Sequence, residues 1–99
     1  MSRFTLSRSA EEDLIQIYME GASTFGLAQA QRYHQRLFRA FQFLAENPQA
    51  APVRYELNPS IRVHPVGSHI VLYTLRDHDI YILRVRHGHE DWLEHRSEA

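Results

Sequence analysis

The side chains best able to do chemistry in this chain are its arginines and histidines. The sequence has 99 residues, with eleven arginines, no lysine and seven histidines, six of which lie after residue 63. Guanidinium groups bind carboxylates and phosphates through paired hydrogen bonds. Histidine gains or loses a proton near neutral pH. These side chains suit either the binding of a charged partner or acid–base catalysis.

Acid–base catalysis would need a base, an acid and cations that stabilise a charged transition state. The candidate catalytic residues are Arg62 and Arg84 in predicted strands and His87 at the end of the last strand. The sequence favours the alternative, in which Arg84 is a salt-bridged strand residue and His87 is hydrogen-bonded at a strand end. The formal net charge of −1 lacks the basic footprint of a nucleic-acid binder. No specific nucleic-acid binding is therefore expected.

Histidine spacing raises the question of a metal site. His87 and His89 alternate along the end of a predicted strand, and His64 and His69 precede them. Alternating histidines on one strand face can share a metal ion, but no carboxylate–histidine motif of ligand spacing accompanies them here. The four glycines are scattered, so they form no phosphate-binding loop. The sequence predicts neither a metal site nor a cofactor.

Length and composition favour a small globular protein with a single domain over residues 1–99, because the chain is 43% hydrophobic and too short for a second core. The absence of cysteine excludes a disulfide scaffold. No apolar run reaches the ~20 residues of a membrane span, and the N-terminus lacks the apolar core of a secretory signal. We expect a cytoplasmic protein that has no membrane partner.

Apolar residues at helical spacing predict two helices in the first half of the chain. The segment Ser9–Glu12 is typical of a capping box and predicts the first helix start at Ser9, with Gly21 as its stop. A second helix is predicted after Gly26 and ends at Asn47, before a proline. Its apolar face contains Ala30, Tyr33, Leu37, Phe41 and Leu44. The short link between the helices predicts a helical hairpin.

The second half of the chain predicts strands. Proline-rich residues 48–60 form a predicted loop, and β-branched and aromatic residues then predict strands over 61–64, 69–75 and 80–86. Residues 3–6 alternate as a short first strand. The last strand is apolar on both faces, which predicts a position inside the sheet. The order β-α-α-β-β-β predicts an α+β fold in which an N-terminal helical hairpin packs on a small antiparallel β-sheet.

Four phrases in this order resemble the RelE/ParE superfamily of toxins, and the ParE branch most closely. They lie in the segments 6–17, 25–48, 57–69 and 73–91, and they contain Leu6-Ser-x-x-Ala10, Phe25-Gly26, Pro65-Val66-Gly67-x-His69 and His87-Gly88-x-x-Asp91. The chain departs from the family pattern at Glu90, where many relatives have methionine, and at Arg86, where they have an apolar residue.

The resemblance implies a bacterial toxin of a type II toxin–antitoxin system. Its implied partners are a ParD-like ribbon-helix-helix antitoxin with a disordered tail and DNA gyrase, which the toxin would inhibit by binding. RelE-like relatives instead cleave messenger RNA on the ribosome, and this remains the alternative function. Cleavage of RNA needs a base for the 2′-hydroxyl, cations for the charged transition state and an acid for the leaving oxygen. Under this alternative, Arg62, Arg84 and His87 would be the catalytic residues.

Two sets of binding residues are predicted for a toxin of this family. The target-binding residues are placed on the last strand and at its end: Arg84, Arg86, His87 and Asp91. The antitoxin-binding residues are placed on the second helix: Arg32, Arg36, Arg39 and Phe43. Exposed arginines in the second set would meet acidic residues of the antitoxin.

Overall fold

Two helices lie side by side on one face of a five-stranded sheet in the computed structural model, which describes residues 3–54 and 61–88. The elements in chain order are β1 (Phe4–Leu6), α1 (Arg8–Phe25), α2 (Leu27–Glu46), β2 (Val53–Arg54), β3 (Ile61–Val66), β4 (His69–Arg76) and β5 (Asp79–His87). The predicted α+β class and the helical hairpin on the sheet are confirmed. Among the described residues, no helix has the length and hydropathy needed to cross a membrane.

The bounds of α1 differ from the prediction at both ends. The N-cap is Ser7 rather than Ser9, because the Ser7 hydroxyl accepts a hydrogen bond from the amide of Ala10 and donates one to the carbonyl of Leu83 on β5. The helix also continues through Gly21, which packs against Ala30 of α2. It ends before Gly26, whose φ of +94° favours glycine.

The sheet has the order β1-β5-β4-β3-β2, so the predicted interior position of the last strand is confirmed. The antiparallel prediction holds for four strands, whereas β1 pairs with β5 in parallel. This follows from connectivity, since the whole helical hairpin and three further strands separate β1 from its partner. Strand β2 is a second correction, because it lies inside the predicted loop 48–60. Residues 55–60, which follow β2 in the sequence and complete the predicted loop, lie outside the described residues.

The main core lies between the helices and the inner sheet face. Its largest fully buried side chains include Leu37, Phe41 and Leu44 on α2 and Tyr73 on β4. A register shift at Leu72/Tyr73 places one extra residue of β5 opposite β4. This bulge allows Ile82 and Val85, three residues apart, both to enter the main core. The other sheet face holds a smaller cluster of Ile61 and Leu72 with Val63, Ile70 and Leu83.

Candidate functional site

Asp13 of α1 fixes the first helix to the last strand. Its carboxylate accepts hydrogen bonds from Arg84 Nε at 2.7 Å, Arg84 Nη2 at 2.8 Å and the backbone amide of Val85 at 3.0 Å. The Asp13 side chain is 13% exposed and that of Arg84 is 40% exposed. The guanidinium of Arg84, predicted both as catalytic and as target-binding, therefore holds the fold together through a two-point ion pair.

The end of β5 presents two of the other predicted target-binding residues. The Nη1 atom of Arg86 lies 4.0 Å from Asp13 Oδ1, at the edge of the same ion-pair network. His87 is exposed and lies directly opposite His69 of β4, with the two ring centres 5.3 Å apart. The structure thus brings Arg84, Arg86 and His87 together along one strand. Asp91, the fourth predicted residue, lies outside the described residues, as do Glu90 and His89.

A groove of about 500 Å³ opens between the two helices and the turn that joins β3 to β4. We call it the helix groove. Its apolar and aromatic lining comprises Ile17, Tyr18, Phe25, Tyr33, His34 and Leu37, and its polar rim includes Arg36, His69 and His87. Phe25 and nearby Leu27 are among the most exposed large apolar side chains of the described residues. Exposed apolar surface beside a concave site is typical of binding surfaces.

Tyr33 organises the mouth of the helix groove. Its hydroxyl donates to the carbonyl of Val66 at 3.1 Å and lies 2.6 Å from Nδ1 of His69. The Tyr33 hydroxyl thus links α2 to the β3–β4 turn and to the His69 ring. Gly67, with φ of +59°, permits this arrangement, since a Cβ atom there would lie 2.8 Å from the Tyr33 ring. The spacing of Tyr33 predicted only a core residue, so this role was missed.

The predicted antitoxin-binding arginines form a row along α2. Arg32, Arg36 and Arg39 are all exposed, and their spacing of four and three residues places them on one helix face. Within residues 3–54 and 61–88, no ion pair or hydrogen bond engages their guanidinium groups. Phe43, four residues further along the same face, is 46% exposed. Three unneutralised cations followed by an exposed aromatic ring suit an acidic, partly apolar partner.

A second groove, of about 590 Å³, lies at the opposite end of α2. We call it the turn groove, because one of its walls is the β4–β5 turn. Phe43 and Leu75 supply its large apolar side chains, Asp77 and Asp79 its carboxylates, and the loop from Asn47 to Ala50 its other wall. No local sequence pattern predicted this groove, because Leu75 and the two aspartates follow Phe43 only after more than thirty residues.

The three nuclease candidates do not converge on a shared site. Arg62 of β3 donates from Nη1 to the carbonyl of Ala51 at 2.6 Å. Arg84 of β5 instead binds Asp13 of α1, and β4 lies between the strands of the two arginines. His87 lies at the end of β5 against His69. Each arginine is thus held by a structural contact, in agreement with the alternative that the sequence favoured for Arg84. Across the described part of the chain, no three histidine, aspartate or glutamate side chains form a metal-ligand cluster.

His64 of β3 carries a pH-dependent contribution to stability. Burial lowers its pKa below the ordinary value of 6.5, and its ring packs 6.0 Å from that of Phe43. The unfolded chain therefore binds this proton at a higher pH than the folded protein does. The stabilising effect is complete above pH 6.5 and is lost as the pH falls towards the folded pKa.

We predict that the His64 ring titrates by NMR with a midpoint below 6.5. The variant His64→Gln should delete this resonance and remove the corresponding part of the pH dependence of unfolding. A midpoint at or above 6.5 would contradict the burial of the ring.

Comparison with known proteins gives a consistent result. The family model described as the ParE toxin of the parDE type II toxin–antitoxin system matches residues 4–92. Toxin ParE1 of Mycobacterium tuberculosis is 31% identical over 91 residues, which cover 91% of this chain and 93% of the relative. Toxin ParE1 of Caulobacter vibrioides is 31% identical over 87 residues, covering 88% and 90%. A structure described as the chromosomal ParDE system from P. aeruginosa has the same fold, with a TM-score of 0.75 and 21% identity over 88% of this chain and 95% of that one.

Proposed function

Because this chain belongs to the ParE toxin family of type II toxin–antitoxin systems, we propose that it arrests growth by binding DNA gyrase and that a ParD-like antitoxin neutralises it. The proposal makes the protein an inhibitor that acts by binding, with no cofactor. The single observation that carries the antitoxin part is the apolar helix groove, whose rim includes Arg36 from the exposed row of Arg32, Arg36 and Arg39.

The antitoxin would bind through a disordered tail that folds on contact. A tail of this kind lays an amphipathic helix into an apolar groove and gains specificity from charge. Acidic residues of the tail would lie over the arginine row while its apolar residues enter the helix groove. Phe43 would extend this contact along α2. The ParDE description of the structural neighbour supports an antitoxin as the partner.

The target surface would lie at the end of β5. Arg84, Arg86 and His87 belong to this strand, and Asp91 follows them in the sequence. His87 also lines the helix groove. An antitoxin seated in that groove would therefore cover part of the target surface. Neutralisation would then follow from direct occlusion of the gyrase-binding residues.

A gyrase supercoiling and cleavage assay with the purified toxin tests this proposal. We expect inhibition that the antitoxin reverses, and about tenfold weaker inhibition by the variant Arg86→Ala/His87→Ala, because truncating central binding residues of an interface costs on the order of 1–2 kcal/mol. The matched control is Arg76→Ala/His78→Ala, which removes the same residue types at the opposite end of the sheet.

Two results would contradict the gyrase proposal. Equal inhibition by both double variants would remove the end of β5 as the target surface. Absence of any effect on gyrase, together with cleavage of labelled messenger RNA on translating ribosomes, would favour the RelE-like alternative.

A further inference from the structure

We propose that the turn groove is a second docking site for the antitoxin and takes a large apolar side chain that neighbours a lysine or arginine. This inference rests on the proposed function and deepens it, because it specifies a two-part partner. The helix groove would bind one apolar side chain of the antitoxin, and the arginine row would bind an acidic stretch. The turn groove would bind a second apolar side chain that has a basic residue next to it.

The floor of the turn groove is apolar and accessible. Phe43 is 46% exposed and Leu75 is 41% exposed, and both line the turn groove. Clusters of exposed apolar side chains in a concave site are typical of binding surfaces. An aromatic or aliphatic anchor would bury both side chains.

The walls of the turn groove are fixed before any partner arrives. Asn47 caps α2 with two hydrogen bonds to the carbonyl of Phe43, from its backbone amide and its side-chain amide. The Tyr73 hydroxyl donates to the carbonyl of Pro48 at 2.8 Å, and Arg62 holds the carbonyl of Ala51. A docking segment therefore meets a preformed site and loses little affinity to ordering it.

The charge at the rim selects a basic partner segment. Asp77, His78 and Asp79 all line the groove, and within the described residues neither carboxylate forms an ion pair, so the two carboxylates outnumber the single histidine at the rim. Arg76, the nearest arginine along the chain, instead lies over the Tyr81 ring with its Cζ atom 4.0 Å from the ring centre. A lysine or arginine beside the apolar anchor would pair with these carboxylates.

Geometry connects the two grooves through α2. Arg36 lines the helix groove and Phe43 lines the turn groove. Seven residues of helix separate them, a rise of about 10 Å. An extended segment of three or four residues spans that distance. One antitoxin tail can thus reach both grooves while its acidic residues lie over Arg39.

Isothermal titration of the full-length toxin with the full-length antitoxin tests the second anchor. We expect Leu75→Ser to weaken binding about tenfold, and Asp77→Asn/Asp79→Asn to weaken it about fivefold with a smaller effect at high salt. Asparagine at position 77 preserves the φ of +55° that the turn requires. The controls are Ile15→Ser and Glu12→Gln, which change exposed residues on α1.

The measured affinities distinguish failure of the second docking site from failure of the proposed antitoxin function. Unchanged affinity in the turn-groove variants, with weakened binding by Arg36→Glu/Arg39→Glu, would overturn the second anchor and leave the proposed function standing. If the wild-type toxin does not bind the antitoxin, the proposed antitoxin function fails.

An NMR titration with two dipeptides tests independently whether the turn groove prefers a basic side chain beside the apolar one. We expect Ac-Trp-Arg-NH₂ to shift the amides of Phe43, Leu75 and Asp77 more than Ac-Trp-Glu-NH₂ does. Equal shifts from both dipeptides, or none, would overturn the selectivity of the groove.

Discussion

Replacement of Asp13 by alanine should lower the free energy of unfolding by about 2–3 kcal/mol, because one carboxylate serves three hydrogen bonds that join α1 to β5. Removing it leaves the Arg84 guanidinium and the Val85 amide without this acceptor. The expected loss is below that of a fully buried pair, since the Arg84 side chain is 40% exposed and partly rehydrates. For a domain of this size the melting temperature should fall by roughly 10–20 °C.

Urea denaturation of Asp13→Ala, Arg84→Met and the double variant measures this contribution. We expect a coupling energy above about 1 kcal/mol in the double-mutant cycle. Glu12→Gln provides the matched control, because Glu12 is the exposed neighbouring acid on α1. Additive effects of the two substitutions would show that the ion pair does not stabilise the fold.

The Asp13–Arg84 pair also changes how mutations at the end of β5 should be interpreted. Loss of toxicity in Arg84→Ala would combine a loss of stability with any loss of target contact. Arg86 and His87 separate the two effects better, since neither makes the bidentate contact to Asp13. The stability of every variant should therefore be measured before its activity is compared.

Local patterns in the sequence predicted most of the elements. Helical spacing identified the buried face of α2 because one face of a helix repeats every three or four residues. Apolar residues on both faces of 80–86 placed β5 inside the sheet, since only an interior strand is covered on both sides. Gly26 was correctly predicted to separate the helices.

Long-range contacts explain what the local patterns missed. The local sequence does not distinguish Ser7 from Ser9 as the N-cap of α1. The hydrogen bond from Ser7 to Leu83, 76 residues away, favours Ser7. A helix that begins after Ser9 would have Asp13 in its first turn, where an acidic side chain interacts with the helix dipole. The start at Ser7 instead places Asp13 one turn further along α1, where it binds Arg84. The parallel pairing of β1 likewise depends on a strand more than seventy residues later.

The candidate surfaces were predictable to different degrees. The arginine row on α2 follows directly from helical periodicity, and exposure of Arg32, Arg36 and Arg39 agrees with it. The two grooves were not predictable, because each combines α2 with turns of the sheet. Tyr33 with His69 and Phe43 with Leu75 become neighbours only in the folded chain.

Charge reversal of the arginine row should have the largest effect on antitoxin binding. In Arg36→Glu/Arg39→Glu, two favourable contacts with an acidic tail become two repulsive ones, and like charges at an interface cost several kcal/mol. We expect the affinity to fall about 100-fold, or roughly 2.7 kcal/mol. Folding should be retained, because both side chains are exposed and make no contact that secures the core.

Titration of the antitoxin at two salt concentrations distinguishes charge from packing in this effect. Wild-type affinity should decrease as salt increases, whereas the double variant should gain affinity through screening of the repulsion. Arg8→Glu, an exposed reversal on α1, is the control for net charge. Unchanged affinity in the double variant would remove the arginine row from the interface. In cells the double variant should stay toxic in the presence of antitoxin, because α2 binds the antitoxin in this scheme while the end of β5 binds the target.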